Sequence, residues 1–336
     1  MEQVKRILII HQGALGDFIL SLPAISAFRH HYPDTTIEIW GYTEILRLVD
    51  RSVYADTIYS IDRERIASLF TRDPLVPAGV LERFRSFDLI CLFGGEGQAT
   101  FVENLKRSGV KNVYRIEPFP PAGSNTHVID HQASQLAPLG LQAPLSTPTL
   151  FTPEDDGMPL ASFLEHRQTD REALLVALHP GSGSRGKVWP PGNFAQLSSY
   201  LLDNDRVRLI MPIGPADREH AEGYCALISS DRIIPVTNLT LTELAALLKR
   251  CMVYVGNDSG VTHMAAAVGT PVVALFGPTD PGVWGPRGRR VRTVYRGVSC
   301  SPCSREEMNG CLHRKCLDSI TVEEVYRSVR TFFQDA

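Results

Sequence analysis

The sequence predicts an α/β protein of two domains, each built around a parallel sheet. Three observations carry this. The chain has 336 residues, enough for two cores of ordinary size. Both halves repeat one pattern, in which a short apolar run rich in β-formers enters a glycine turn and then a segment of helical period. Residues 251–281 hold a complete strand–helix–strand unit, the crossover that parallel strands require.

Composition narrows the class. Hydrophobic residues make up 43% and charged residues 21% of the chain, the balance of a soluble globular protein. A formal net charge of −3 gives no electrostatic reason to expect nucleic acid as a partner. After Lys5 and Arg6 the apolar run 7–10 stops at His11, too short for a signal peptide. No stretch approaches the roughly 20 apolar residues of a transmembrane segment. Seven cysteines without a secretory signal point to reduced thiols and a cytoplasmic location.

In the first half, residues 4–10 read as a buried strand running into His11-Gln12-Gly13-Ala14-Leu15-Gly16-Asp17. An amphipathic helix follows over 18–30, with Phe18, Leu22, Ile25 and Phe28 on one side. The glycine spacing is not the dinucleotide fingerprint G-x-G-x-x-G, which disfavours a dehydrogenase. By position alone Asp17 is a first-turn acid set against the helix dipole, worth about 0.3–1 kcal/mol. Residues 36–40 form a second strand, and Val53, Ala55, Ile58 and Tyr59 suggest another unit. The charged stretch 62–73 reads as an exposed loop or helix. Residues 87–93 form a strand entering Gly94-Gly95-Glu96-Gly97, a turn that admits a ligand close to the backbone or is simply tight. A helix over 102–108 and a strand over 110–116 follow. His127 and His131 stand four apart on a helix over 125–139, but no carboxylate or cysteine at suitable spacing completes a metal site. Acids and bases nearly balance over 1–150, so this half is no polybasic anchor. Single cations such as Arg63, Arg65, Lys106, Arg107 or Arg115 remain open as contacts for an anionic acceptor. The proline-rich stretch 143–159 reads as the interdomain connection.

In the second half, a short helix over 162–168 precedes an apolar strand over 173–178. That strand leads into His179-Pro180-Gly181-Ser182-Gly183-Ser184-Arg185-Gly186-Lys187-Val188-Trp189-Pro190. Glycines, serines and two cations after a buried strand suit an anion-binding loop. It is not a Walker loop, because Val188 follows Lys187. A helix over 193–202 and a strand over 207–212 lead to Gly214-Pro215-Ala216-Asp217-Arg218-Glu219, the start of the next helix. Thr240 and Glu243 make a capping box ahead of a helix over 241–249. Residues 252–255 are a strand. Asn257, Asp258 and Ser259 can each cap the start of a helix that Gly269 stops, and residues 272–276 are the strand after it. The helix start presents backbone N–H groups, hydroxyls and the positive dipole end, a seat for phosphate. A final amphipathic helix covers 320–333.

Asp258-Ser259-Gly260-Val261-Thr262-His263 followed by Gly277-Pro278-Thr279-Asp280-Pro281 resembles the donor-site signature of family 9 glycosyltransferases, the ADP-heptose:lipopolysaccharide heptosyltransferases. Lys187-Val188-Trp189-Pro190 matches the family's K-x-W-P, and Gly13-x-x-Gly16-Asp17 with Pro23 its N-terminal motif. The resemblance covers nearly the whole chain. It implies the GT-B architecture, two Rossmann-like domains facing a central cleft. Residues 1–150 would bind acceptor and 160–318 the nucleotide-sugar donor, with 319–336 a helix packing back on the first domain.

What the resemblance implies for function is specific. Asp17 becomes the general base of an inverting transfer of heptose from ADP-heptose to the inner core of lipopolysaccharide. Ser182, Lys187, Asp258, Ser259, Gly260, Val261, Thr262 and His263 become donor-binding residues. Asp217 is the first choice and Glu219 the second for the acid on the nucleotide ribose. Gly13, Gly16, Gly94 and Gly95 line the acceptor side. No cofactor or catalytic metal is expected, since protein donors replace a divalent ion. The partners are an ADP-sugar and a lipid-linked core oligosaccharide, met at the cytoplasmic face of the inner membrane. Another GT-B enzyme with a different nucleotide-sugar, or a nucleotide-binding module without turnover, stays open. Cys300, Cys303, Cys311 and Cys316 with His313 admit a structural zinc, but the seven- and four-residue gaps are not a ribbon or finger spacing. Free thiols in a compact loop are the favoured reading.

Overall fold

Apolar runs closed by glycine turns become parallel strands buried on both faces. The computed structural model describes residues 4–63, 66–72, 75–144, 146–152, 173–215 and 217–333. The chain divides into two units, Met1–Phe151 and Thr152–Ala336. The expected helix over 162–168 and the second half of the expected connection, 153–159, lie outside the described residues.

The first unit holds β1 (Arg6–His11), β2 (Thr36–Gly41), β3 (Thr57–Ser60), β4 (Leu89–Phe93) and β5 (Val113–Ile116). Their order is β3-β2-β1-β4-β5, and every pairing is parallel. Ile7, Leu8, Ile9 and Ile10 of β1 are all fully buried. A central parallel strand covered on both faces has no polar side to show, so the run does not alternate. Leu8, Ile10 and Trp40 pack with Phe84, Phe101 and Leu105 from the helices Ala78–Arg85 and Ala99–Arg107. The charged stretch 62–73 is less exposed than its composition suggests. Ile66 and Leu69 lie buried in a 3-10 turn, and Asn104 Nδ2 donates to the Leu69 and Thr71 carbonyls at 2.9 and 2.8 Å.

The second unit holds β6 (Leu174–His179), β7 (Val207–Ile213), β8 (Ile233–Thr237), β9 (Val253–Asn257), β10 (Val272–Phe276) and β11 (Val291–Tyr295). The order is β11-β10-β9-β6-β7-β8, again all parallel. Both edge strands escaped the sequence reading. β8 exposes Pro235 and Thr237 and β11 exposes Arg292 and Thr293, so neither edge strand is the continuous apolar run that marks a strand buried on both faces. Gly269 sits at φ +91° just past the helix Gly260–Ala267, the left-handed stop its position implied. The terminal helix Val322–Phe333 buries Val322, Val325, Val329 and Phe332 in this unit's core.

Strand order places the sites. In the first sheet the chain runs outward from β1 to β3, then returns to β1's other side for β4 and β5. The second sheet does the same from β6. Each reversal opens a crevice beyond the carboxyl ends of the two strands that flank it, the usual ligand position in doubly wound sheets. β1 and β4 end at His11 and Phe93; β6 and β9 end at His179 and Asn257.

Candidate active site

The first crevice is walled by the Gly13–Asp17 turn and the Gly94–Gly95 turn. The helix Leu15–His31 starts after Ala14, which has no capping side chain, and Asp17 Oδ2 accepts the Ala14 N–H at 3.2 Å. Gly13 is required here: a Cβ would stand 2.7 Å from His11 Cε1 and 2.9 Å from Asp17 Cβ. Gly16 is the second residue of that helix. His11 is buried, accepts the Gly13 N–H at Nδ1 (3.2 Å) and so carries its proton on Nε2, 3.1 Å from Ser21 Oγ. Ser21 Oγ in turn donates to the Asp17 carbonyl at 2.8 Å. Burial pulls His11 down to about 3, so it is neutral at working pH.

Gly94 N–H donates to the Ile116 carbonyl at 3.0 Å, and Arg115 Nη1 donates to the Gly94 carbonyl at 3.1 Å while pairing with Glu117. Gly95 has only Glu117 Oε1 near the position of a Cβ, at 3.5 Å. Of the cations left open by sequence, Arg115 sits at this carboxyl edge. Lys106 and Arg107 end the helix Ala99–Arg107, on the way to the amino end of β5. Arg65 and the Arg63 side chain lie outside the described residues. His127 caps the helix Val128–Ser134 through Nδ1, and His131 meets Gln135, so each has a structural partner.

The second crevice gathers the residues expected from sequence to bind the donor. Ser259 caps the helix Gly260–Ala267, accepting from the Thr262 N–H. Gly260 and Val261 supply first-turn N–H groups, and His263 is buried in the same helix. Lys187 Nζ lies 2.7 Å from Asp258 Oδ2, which also accepts from Thr279 Oγ1 at 2.6 Å. Thr279 belongs to the Gly277–Pro281 loop, so three separated motifs meet at one carboxylate. Ser182 Oγ donates to the Asp258 carbonyl at 3.0 Å. The Lys187 side chain keeps a quarter of its surface exposed (25%) while Asp258 keeps 7%. The ammonium therefore faces the opening and the carboxylate backs it.

Asp217 closes the other flank. Its Oδ2 accepts the Gly214 N–H at 2.9 Å and lies 3.1 Å from His179 Nε2, an approach too oblique for a well-formed hydrogen bond. Burial alone would raise this carboxyl, yet the contact and charge of His179, the Gly214 N–H and nearby His220 hold it below the usual range. Glu219 is exposed and pairs with Arg185.

Several residues of this site were not read from sequence. Asn257, fully buried, donates to the Pro180 and Gly181 carbonyls at 3.2 and 3.0 Å and accepts the Trp189 N–H at 2.9 Å. It stitches the 180–190 loop to β9. Tyr254 OH lies 3.2 Å from His179 Nδ1 and 3.1 Å from Thr262 Oγ1, and burial pushes its phenol far above the usual range. The signal was available: His11, His179 and Asn257 are each a buried polar residue closing an otherwise apolar strand.

The cysteine segment fastens the donor loop. Cys303 N–H donates to the Pro278 carbonyl and Ser301 Oγ to the Gly277 carbonyl, each at 2.7 Å. A Cβ on Gly277 would stand 3.1 Å from Cys316 Sγ. All seven cysteines are free thiols, and among the described residues no group of three or more His, Cys, Asp or Glu is arranged to hold a metal ion. The Asp-x-Asp tripeptide Asp203-Asn204-Asp205 lies in the turn before β7, at the amino end of the sheet and away from the crevice.

Two Rossmann-like units, each with motif loops at its switch point, give the chain the two-domain α/β fold of the GT-B class. The family model of glycosyltransferase family 9 (heptosyltransferase) matches residues 119–313, and the chain belongs to that family and is a glycosyltransferase. Lipopolysaccharide heptosyltransferase 3 of Escherichia coli is 25% identical over 305 residues, covering 84% of this chain and 86% of that protein. The glycosyl transferase family 9 structure from Veillonella parvula superposes with a TM-score of 0.81 at 21% identity, covering 100% of this chain and 99% of that one. The E. coli ADP-heptose lps heptosyltransferase II structure gives 0.76 at 17% identity, covering 98% and 99%. The family match begins after the first crevice, so it bears on the second-unit motifs and leaves Asp17 to the geometry.

Proposed function

We propose that this chain transfers a heptose from ADP-heptose to the inner core of lipopolysaccharide, with inversion at the anomeric carbon. The observation that carries the reading is the convergence of Lys187, Asp258 and Thr279 at the start of the helix Gly260–Ala267, at the switch point of the second sheet. An ammonium, first-turn N–H groups and hydroxyls together form a seat for a diphosphate. The names of its relatives supply the sugar and the acceptor.

Each residue then has a role. A carboxylate repels a diphosphate, so Asp258 acts by holding Lys187 at the opening, and Lys187 meets the phosphates. Asp217 accepts the ribose hydroxyls. Asp17 takes the proton of an acceptor hydroxyl as its oxygen bonds to the anomeric carbon. The bond from that carbon to the diphosphate breaks, and ADP leaves with the electron pair. One displacement inverts the centre. Lys187 and the helix start stabilise the charge that grows on the leaving group. Charge supplied by the protein makes a divalent ion unnecessary for this step. The acceptor is lipid-linked, which puts the reaction at the cytoplasmic face of the inner membrane. In this reading the association is peripheral; among the described residues no helix is long and apolar enough to cross a membrane.

The test is the product. Incubation with ADP-heptose and truncated lipopolysaccharide acceptors should give, by mass spectrometry, an acceptor heavier by one heptose and one equivalent of ADP. Transfer from a UDP-sugar in its place would reassign the donor. Tight ADP binding with no product from any acceptor would make the chain a binding module.

A further inference from the structure

Within the second unit a buried polar bridge runs behind this crevice. His179 closes β6 and is 2% exposed; Tyr254, in the middle of β9, is fully buried. The Asp217 carboxylate beside His179 Nε2 favours a proton on that nitrogen. Nδ1 then accepts the Tyr254 hydroxyl at 3.2 Å; the phenol oxygen also packs 3.1 Å from Thr262 Oγ1, whose own proton goes to the Asn257 carbonyl. The bridge therefore joins the Gly214–Asp217 turn to the middle of β9, beside the helix start. Two glycines keep its path clear. A Cβ on Gly181 would stand 2.1 Å from Asp217 Oδ1, and one on Gly256 would stand 2.3 Å from Tyr254 OH. Neither glycine has a positive φ, so the reason for them is space.

We propose that Tyr254 and His179 are positioning residues that fix the Asp217 carboxylate, and that they thereby set the enzyme's affinity for the ribose hydroxyls of a nucleoside diphosphate. Gly214 N–H donates to Oδ2 and His179 Nε2 stands 3.1 Å from the same oxygen, so in this proposal a ribose hydroxyl is accepted at Oδ1, beside Gly181. With the bridge broken the carboxylate can rotate about its side-chain bonds and a ribose hydroxyl loses a fixed acceptor. The inference rests on the ribose assignment of Asp217 made above.

The experiment compares ADP with 2′,3′-dideoxy-ADP by calorimetry on the full chain. Tyr254→Phe deletes one oxygen and keeps the packed ring. It should weaken ADP roughly five- to tenfold and leave dideoxy-ADP within about twofold of wild type. His179→Gln, which retains a donor toward Asp217, should recover part of the preference for ADP that His179→Leu loses. This second pair decides the matter if Tyr254→Phe does not fold. Equal weakening of both ligands by Tyr254→Phe, or equal behaviour of the two His179 variants, would overturn the proposal, because a loosened fold does not distinguish the ligands. Asp217→Asn is the control for the underlying assignment. If it fails to discriminate ADP from dideoxy-ADP, the ribose role is wrong. If it discriminates and Tyr254→Phe does not, the bridge alone is wrong.

Discussion

At the scale of single residues, the roles proposed for Asp17 and Lys187 divide chemistry from binding. Asp17→Asn keeps the size of the side chain and an oxygen for the Ala14 N–H, but removes the base. It should lower turnover by at least the roughly 10²-fold expected of general base catalysis, with ADP affinity near wild type. A helix-dipole acid would cost only a little melting temperature, so turnover and melting on one preparation separate the two roles. Lys187→Ala should weaken ADP about tenfold or more, the loss of a charge-assisted contact. Unchanged ADP affinity in calorimetry would remove Lys187 from the diphosphate. His11 makes a pH prediction. Its pKa is about 3 in the fold against an ordinary 6.5, so between those values the unfolded chain binds more protons than the folded one. Stability therefore rises with pH across that window and is lost as pH falls from 6.5 toward 3, by up to about 1.4 kcal/mol per unit. Melting curves from pH 7 to pH 4 should be flatter in His11→Gln than in wild type. Parallel curves would mean that His11 takes up its proton without unfolding.

At the scale of elements, what was legible followed from periodicity and caps. The Thr240–Glu243 capping box stands as expected, with Glu243 N–H donating to Thr240 Oγ1 at 3.2 Å and Thr240 N–H to Glu243 Oε2 at 2.7 Å. The strands beside the switch points were legible because long apolar runs between glycine turns have few alternatives. Edge strands β8 and β11 were not, since an edge need not be apolar and its signal fades into that of a loop. Side-chain links between distant loops were equally hidden, because Asn257 reaches Pro180 and Trp189 across about seventy positions that only the parallel sheet brings together. That link gives the element-scale prediction. Asn257→Ala leaves two carbonyls and one N–H unpaired in a fully buried place, at a cost on the order of 2–4 kcal/mol. Denaturant unfolding should show the loss, and ADP should bind more weakly because the loop that carries Lys187 is freed. Wild-type stability in Asn257→Ala would mean that water or a rearranged loop satisfies those groups.

At the scale of the whole molecule, the same winding appears twice and each copy received different side chains at its switch point. The first sheet presents a carboxylate, Asp17, over a turn held by a neutral His11; the second presents an ammonium, Lys187, and a helix start. In the proposed reaction the first would accept a proton and the second would accommodate an anion, the division of labour that a displacement at a sugar–diphosphate bond needs. In that reading Lys187 and the N–H groups of the helix Gly260–Ala267 supply the charge that a divalent ion would otherwise bring. The cysteine segment acts at a distance from the reacting atoms by bracing the Gly277–Pro281 loop through Cys303 N–H and Ser301 Oγ, contacts that involve no thiolate. Prolonged chelator treatment should therefore leave sugar transfer within about twofold of its starting rate, an allowance of roughly 0.4 kcal/mol. Elemental analysis of the same sample identifies any metal removed. Loss of transfer that a divalent ion restores, with ADP affinity falling in parallel, would place an ion on the diphosphate and make the protein donors insufficient. Loss of transfer accompanied by a lower melting temperature and no change in the ADP affinity of the folded fraction would assign the metal to the cysteine loop.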